Sequence, residues 1–138
     1  MSMSIYDSDI TTKFFGMMQN TFKSKDKEQF KILGKELEGI INSYDPNNKN
    51  NEQIFMQAQS ISTFVMTYAL ETATFIGGEM YKGVLMHKID SRSFLTEHSP
   101  ARTAYMMSEE GGEKGLQEKQ FLIQTLETVN KMYEYERK

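Results

Sequence analysis

The sequence predicts an all-α protein, a helical bundle of about four main helices in one domain spanning residues 1–138. Apolar residues recur at helical spacing through most of the chain. Residues 53–70 contain no charged residue, within a long central helix predicted at about 51–88. With 38% hydrophobic and 25% charged residues, the composition is typical of a folded globular domain.

Two amphipathic helices are predicted ahead of the loop at residues 45–51. The first covers about residues 10–22, after Asp9, whose carboxylate can accept hydrogen bonds from the free amides of the first turn. The second covers about residues 27–44 and begins after Asp26, which can cap it in the same way. Each carries an apolar stripe that can pack against the rest of the bundle.

Glycines weaken the helix prediction at two places. Gly34 and Gly39 lie inside the second predicted helix, where each lowers intrinsic helix propensity by about 1 kcal/mol relative to alanine. Gly77 and Gly78 lie inside the third, where a β-hairpin over residues 74–89 is an alternative to a continuous or kinked helix. The spacing of apolar residues on both sides of the glycine pair favours the helix.

The third predicted helix is neutral rather than strongly apolar. Glutamine, serine and threonine interrupt its apolar residues, so a transmembrane span is rejected. A helix with neutral polar residues is better explained by burial in a bundle or at an oligomer interface. Ala69, Ala73 and Gly77 form a ridge of small residues that permits close helix contact. We therefore predict a homo-oligomer, most simply a two-fold dimer with this ridge at its interface.

The last third of the chain predicts two more helices. A short extra helix is expected near residues 100–107, with Ser99 as its N-cap and Pro100 at its first position. The last main helix is expected at about 113–135. Irregular structure is predicted around residues 89–99 and 108–115.

Charge and composition argue against several classes of function. The net charge of −3 is too balanced for a protein that binds nucleic acid by neutralising phosphates. With no cysteine and no paired Glu-x-x-His motif, we predict no metal site, no cofactor and no catalytic residues. Glu71 and Glu79 are isolated carboxylates, which leaves an enzyme as a third hypothesis. The N-terminus lacks the features of a signal peptide, so a cytoplasmic protein is expected.

One segment contains residues suited to an anionic ligand. Arg92, His98, Arg102 and Tyr105 fall within residues 92–105, around the predicted start of the short helix. Amides at a helix N-terminus favour an anion, an arginine can clamp it, and a tyrosine can stack on a base. We predict these four residues as a ligand-binding site for a small anion or nucleotide.

The functional prediction is a non-enzymatic binding or regulatory protein with a protein partner. A lysine- and asparagine-rich chain of this size would suit an accessory protein of a mobile element, or an inhibitor that sequesters a host protein or a signalling molecule. The first alternative is an anion- or nucleotide-binding domain using the 92–105 segment. The second is a DNA-binding regulator of the helix-turn-helix type, although flanking basic residues for phosphate contacts are missing.

Overall fold

The computed structural model describes residues 3–48, 51–91, 100–108 and 112–135, and within these ranges the chain is a bundle of α-helices without a β-strand. Five helices follow in chain order: α1 (Ile10–Ser24), α2 (Lys27–Asn42), α3 (Asn51–Ser91), α4 (Pro100–Ser108) and α5 (Glu113–Lys131). A 3₁₀ turn at Met132–Tyr135 ends the described chain. The predicted all-α class, the long central helix and the short extra helix are confirmed.

The ends of α1 and α2 show which caps form. Asp26 caps α2, because its carboxylate accepts a hydrogen bond from the Glu28 amide at 2.9 Å. The predicted cap at Asp9 is wrong, since its side chain makes no capping hydrogen bond. Instead, the Asp7 carboxylate accepts from the Asp9 amide at 2.9 Å. Lys25, at φ 53°, makes the tight turn between α1 and α2.

α3 is the centre of the bundle and contacts all four other helices. The apolar stripes predicted on α1, α2 and α5 pack around it as one core. Burying each large side chain contributes about 1.5–3 kcal/mol relative to leaving it in water. The fully buried core residues include Ile10 and Phe14 of α1, Leu33, Leu37, Ile40 and Ile41 of α2, Ile54, Ile61, Val65 and Tyr68 of α3, and Leu122, Leu126 and Val129 of α5.

The backbone of α3 is a single helix of 41 residues. It continues through Gly77 and Gly78, so the hairpin alternative is wrong. Its neutral polar residues lower its hydropathy. Across the described ranges, no helix combines the length and the apolar character required to cross a bilayer.

The small-residue ridge lies mostly inside the chain's own fold. Ala69 and Ala73 have no exposed surface, whereas Gly77 is exposed. A second copy cannot reach the two alanines in this fold, because this chain already covers them. The homo-oligomer stays a prediction, and it needs a surface other than these two residues.

The predicted irregular stretch at 108–115 is shorter in the structure. α4 ends at Ser108 and α5 begins at Glu113, while residues 109–111 lie outside the described ranges. Gly115 is buried in the first turn of α5. A Cβ added there would overlap the hydroxyl of Tyr44, so this glycine permits a close contact between α5 and the end of α2.

Candidate functional site

Residues 3–9, called the N-terminal segment below, are held on α3 by glutamine side chains. The side-chain amide of Gln53 donates a hydrogen bond to the carbonyl of Tyr6. The amide of Gln57 donates to the carbonyl of Asp7 at 3.3 Å. A segment without regular structure needs partners for its backbone groups. Two of the neutral polar residues in α3 supply them.

The end of α2 holds the same segment from the other side. Ile5 is fully buried, and its amide donates to the Ser43 hydroxyl at 2.8 Å. The Tyr6 hydroxyl donates to the Asp45 carbonyl at 2.8 Å and accepts from the Asp45 amide at 2.7 Å. Partial burial raises the pKa of Tyr6 above its usual value. The segment is therefore anchored by one apolar side chain and by hydrogen bonds on both flanks.

A second polar group of α3 faces α1. The Thr11 hydroxyl lies 3.2 Å from both the Gln57 side-chain oxygen and the Ser60 hydroxyl. One turn further, the rings of Phe14 and Phe64 pack with their centroids 5.1 Å apart. These contacts align the first turns of α1 beside α3. They also show that several neutral polar side chains of α3 form hydrogen bonds within the chain.

A buried polar cluster joins α3, α4 and α5. Thr103 and Glu118 have no exposed surface, and Ser62 is 1% exposed. The Thr103 hydroxyl donates to a carboxylate oxygen of Glu118 at 2.5 Å and lies 3.4 Å from the Ser62 hydroxyl. Glu118 makes further interactions as well. Because no side of this cluster meets solvent, its chemistry is that of a structural link between three helices.

The sequence contained a signal for Glu118 that the predictions missed. Glu118 precedes Phe121, Leu122 and Thr125 at helical spacing, so it lies on the buried face of α5. A carboxylate is almost never fully buried without partners. Its position on an apolar stripe therefore indicates a polar partner on a neighbouring helix.

A tyrosine hydroxyl lies in the interior between α2, α3 and the end of α5. Tyr68 is fully buried, and its hydroxyl donates to the Asn130 side chain at 3.1 Å and lies 3.4 Å from the Tyr133 hydroxyl. Burial, reinforced by Tyr133, raises the pKa of Tyr68 far above its usual value. A Cβ added at Gly34 would overlap the Tyr68 hydroxyl. Tyr68 therefore stays neutral and packs where only glycine leaves room.

An uncharged groove opens on the surface between α1, α3 and the start of α4. Its volume is about 450 Å³. Its lining comprises three hydroxyl side chains, one amide, one aromatic ring and one proline: Thr11, Ser60, Thr63, Gln59, Phe64 and Pro100. Among the residues that the structure describes, no charged side chain lines it. These six side chains therefore offer no charge that would attract an ion.

Three large apolar side chains are exposed beside the groove. Met56 is 68% exposed, Phe55 45% and Phe15 52%. Phe55 and Met56 lie one turn before Gln59 on α3, and Phe15 lies one turn after Thr11 on α1. We call these three side chains together with the groove the uncharged face.

Threonines make this surface less polar than the sequence implies. The Thr63 hydroxyl donates to the Gln59 carbonyl at 3.2 Å, and the Thr67 hydroxyl donates to the Thr63 carbonyl at 2.9 Å. Threonine hydroxyls in helices often bond to the carbonyl four residues earlier. Their donors are satisfied by their own helix. What they present outward is largely a methyl group.

The predicted anion-binding residues are only partly placed. Arg92 and His98 lie outside the described residues. Arg102 and Tyr105 are exposed one turn apart on α4. Arg102 interacts within the molecule, and the Lys114 ammonium lies 5.8 Å from the centre of the Tyr105 ring. The structure therefore shows two of the four residues on one helix, and the four-residue site stays a prediction.

Comparisons with known proteins identify no relative of this chain. The chain matches no protein-family profile, no curated protein and no solved structure. Within residues that the structure describes, no three or more histidine, aspartate and glutamate side chains are grouped to hold a metal ion. A function for the protein has to be proposed from the geometry above.

Proposed function

We propose that this protein is a non-enzymatic binding protein that holds another protein against its uncharged face. The observation that carries the proposal is the exposure of Phe15, Phe55 and Met56 along a groove whose described lining residues are all uncharged. Aromatic residues and methionine are enriched at the cores of protein interfaces, and charged residues are depleted there. Large exposed apolar patches on a soluble domain often mark interaction surfaces. Phe55 and Met56 add apolar surface at one end of the groove and Phe15 at the other, since Thr11 contacts Gln57 and Phe14 contacts Phe64.

The chemistry of the groove supports binding over catalysis. Among the described residues of the lining, the hydroxyl groups of Thr11, Ser60 and Thr63 have no titratable neighbour. A hydroxyl nucleophile needs an adjacent base to be activated. Glu118 has no exposed surface, so no substrate reaches its carboxylate without opening the bundle. The groove therefore provides shape and apolar contact without the groups of an acid–base site.

The proposed role is regulatory. By covering a surface of its partner, the protein would sequester a host protein, as an accessory protein of a mobile element does, in the cytoplasm. Self-association through the same face is a competing use of it, and light scattering at increasing concentration tests the predicted homodimer directly. If the protein forms a dimer and Met56→Lys dissociates it, the uncharged face binds a second copy of this chain and not a different protein.

A photo-crosslinking amino acid placed at Gln59 tests the proposal. The matched control carries the same group at Lys35, an exposed position on α2. We expect one protein from the native host to crosslink at position 59 and not at position 35. Crosslinking should be lost when Met56→Lys is added, because an ammonium then enters the interface.

One further variant and a folding control keep the result specific. Lys35→Glu changes a charge outside the uncharged face and should leave crosslinking at position 59 intact. Circular dichroism and thermal melting must show that Met56→Lys remains folded, as expected for an exposed position. Equal capture at positions 59 and 35, or capture that survives Met56→Lys, would contradict the proposed surface.

Exposure of Arg102 and Tyr105 on one side of α4 favours a second candidate, an anionic ligand. A thermal-shift screen with nucleotides and phosphorylated metabolites tests it. A ligand at a hundredfold excess over its dissociation constant stabilises a fold by about 2.7 kcal/mol. The shift must disappear in Arg102→Gln; if no anion raises the melting temperature, the predicted site is wrong.

A further inference from the structure

The sulfur atoms of this chain are very unequally exposed. The chain has 11 methionines and no cysteine, so thioethers are its sole sulfur groups. Met18, Met106 and Met107 are at most 7% exposed, and Met66 is partly buried. Met56 is 68% exposed, more than any other large hydrophobic residue that the structure describes. Among the methionines whose side chains the structure describes, it is the most open to a small oxidant.

We infer that Met56 is a site of reversible sulfoxidation that releases the partner from the uncharged face. In this reaction a lone pair of the Met56 sulfur attacks one oxygen of a peroxide. A sulfur–oxygen bond forms, the oxygen–oxygen bond breaks, and the second oxygen leaves as water after proton transfer. The thioether is oxidised by two electrons and the peroxide is reduced. Methionine sulfoxide reductases reverse such a change.

The surroundings of Met56 explain why adding one oxygen atom to its sulfur would weaken binding of the partner. A sulfoxide is a strong hydrogen-bond acceptor, whereas a thioether is an apolar contact. The threonine hydroxyls further along the face already donate to their own helix. An apolar partner surface that covers the sulfoxide would bury this acceptor without a hydrogen-bond donor. Such a loss weakens binding about tenfold or more.

Binding and oxidation should also exclude each other. The partner covers Met56 in the complex, so oxidation requires the free protein. Conversely, the oxidised protein binds less tightly. This reciprocity rests on the proposed function, whereas the oxidation site itself does not.

Peptide mass spectrometry after graded hydrogen peroxide tests the site on the isolated protein. We expect oxygen on Met56 at doses that leave Met18, Met66 and Met107 unmodified, with an unchanged circular dichroism spectrum. Treatment with a methionine sulfoxide reductase should remove that oxygen. Oxidation of Met66 or Met107 as early as Met56 would overturn the assignment, because it would show that exposure does not set the order.

Crosslinking at position 59 tests the regulatory half of the inference, which is that oxidation of Met56 releases the partner. We expect capture of the partner to fall about tenfold or more in parallel with Met56 oxidation, and to return after reductase treatment. In Met56→Leu, capture should be the same before and after peroxide, whatever its starting level. The matched control Met66→Leu should keep the peroxide sensitivity.

The two proposals fail in different ways. If the reduced protein captures no partner at position 59, the proposed function fails together with the regulatory half, and mass spectrometry alone decides the oxidation site. If the reduced protein captures its partner and oxidised Met56 captures it equally well, the proposed function stands and the regulatory half is overturned.

Discussion

α3 carries two sets of polar side chains with different tasks. The outer set, Gln53 and Gln57, donates to backbone carbonyls of the N-terminal segment. The inner set, Ser62 and Tyr68, meets side chains of α4 and α5, at Thr103 and Asn130. The outer set satisfies a backbone that has no regular structure. The inner set fixes which helix residues face each other.

Similar polar side chains on α3 are therefore expected to contribute unequally to the free energy of unfolding. The outer set bonds to Tyr6 and Asp7, which are partly exposed, so water can replace a lost partner there. In the inner set, Ser62, Tyr68 and Thr103 are at most 1% exposed, so a removed partner leaves an unsatisfied group in a low-dielectric environment. We expect changes to the inner set to destabilise the fold several times more than equivalent changes to the outer set.

The largest effect is expected at Thr103. Thr103→Val preserves the shape of the side chain but removes a donor from the buried Glu118 carboxylate. Hydrogen bonds to charged groups contribute about 1.5–3 kcal/mol, and we expect a loss near 3 kcal/mol in the free energy of unfolding. Urea denaturation followed by circular dichroism measures it. Thr103→Ser keeps the hydroxyl and should lose much less; equal losses would mean that the methyl group, and not the hydrogen bond, stabilises this cluster.

The next largest difference in stability is expected between substitutions at the two glycines of α2. Gly34→Ala places a methyl group against the buried Tyr68 hydroxyl and should destabilise the fold by about 2 kcal/mol. Gly39→Ala meets nothing within 4 Å and should stabilise the same helix by about 0.5–1 kcal/mol. Thermal melting of the two variants checks the opposite signs. A stabilising Gly34→Ala would show that Tyr68 moves aside easily.

The outer set should respond more weakly. Gln57→Ala removes the donor to Asp7 and a contact with Thr11, and we expect a loss of about 1 kcal/mol. Native-state hydrogen exchange should show faster exchange of the Ile5 amide, with little change in the core of α3. Gln59→Ala, two residues further on the same helix and exposed, is the control and should change the unfolding free energy by less than about 0.5 kcal/mol. A loss of unfolding free energy in Gln57→Ala as large as that in Thr103→Val would contradict the distinction between the outer and inner sets.

The smallest effect concerns acid stability. The Asp9 amide, and secondarily the Lys13 ammonium at 3.2 Å, hold the pKa of the partly exposed Asp7 carboxyl below its usual value. A lowered pKa in the folded state means that Asp7 stabilises the fold above the unfolded-state pKa and loses this contribution as the pH falls through the folded value. Asp7→Asn should therefore flatten the decline of melting temperature below about pH 4.

A carbon-13 NMR titration of the Asp7 carboxyl measures the shift directly. Because the Asp9 amide is the larger cause, Lys13→Met should leave the pKa still below its usual value. An Asp7 pKa that returns to normal in Lys13→Met would make the ion pair the dominant cause.

Periodicity predicted the helices because each has an apolar stripe that can be recognised within the helix itself. It did not predict why α3 is neutral. The sequence predicts that neutral polar residues such as Gln53 and Gln57 lie in a bundle or oligomer interface, yet their partners are in residues 3–9, which have no periodicity. Hydrogen bonds between a helix and an irregular segment 47 to 50 residues away leave no local pattern in the sequence.

The candidate site was less predictable than the fold. Gly34 and Gly39 are indistinguishable as helix-weakening residues, and the position of Tyr68 alone separates them. The exposure of Phe15 and Met56 depends on how α1 and α3 are rotated about their axes, which apolar composition does not determine. Prediction of the uncharged face therefore required the packed structure.

The anchoring of the N-terminal segment also imposes an order on folding. Asp7 leaves the ribosome 50 residues ahead of Gln57, the residue that binds its carbonyl. At translation rates of 5–20 residues per second, the segment waits roughly 2 to 10 seconds before its docking site exists. α1 and α2 can pair through their short turn during that time, while Ile5 has no core to enter. The beginning of this chain is therefore expected to be the last part of the bundle's first half to fold.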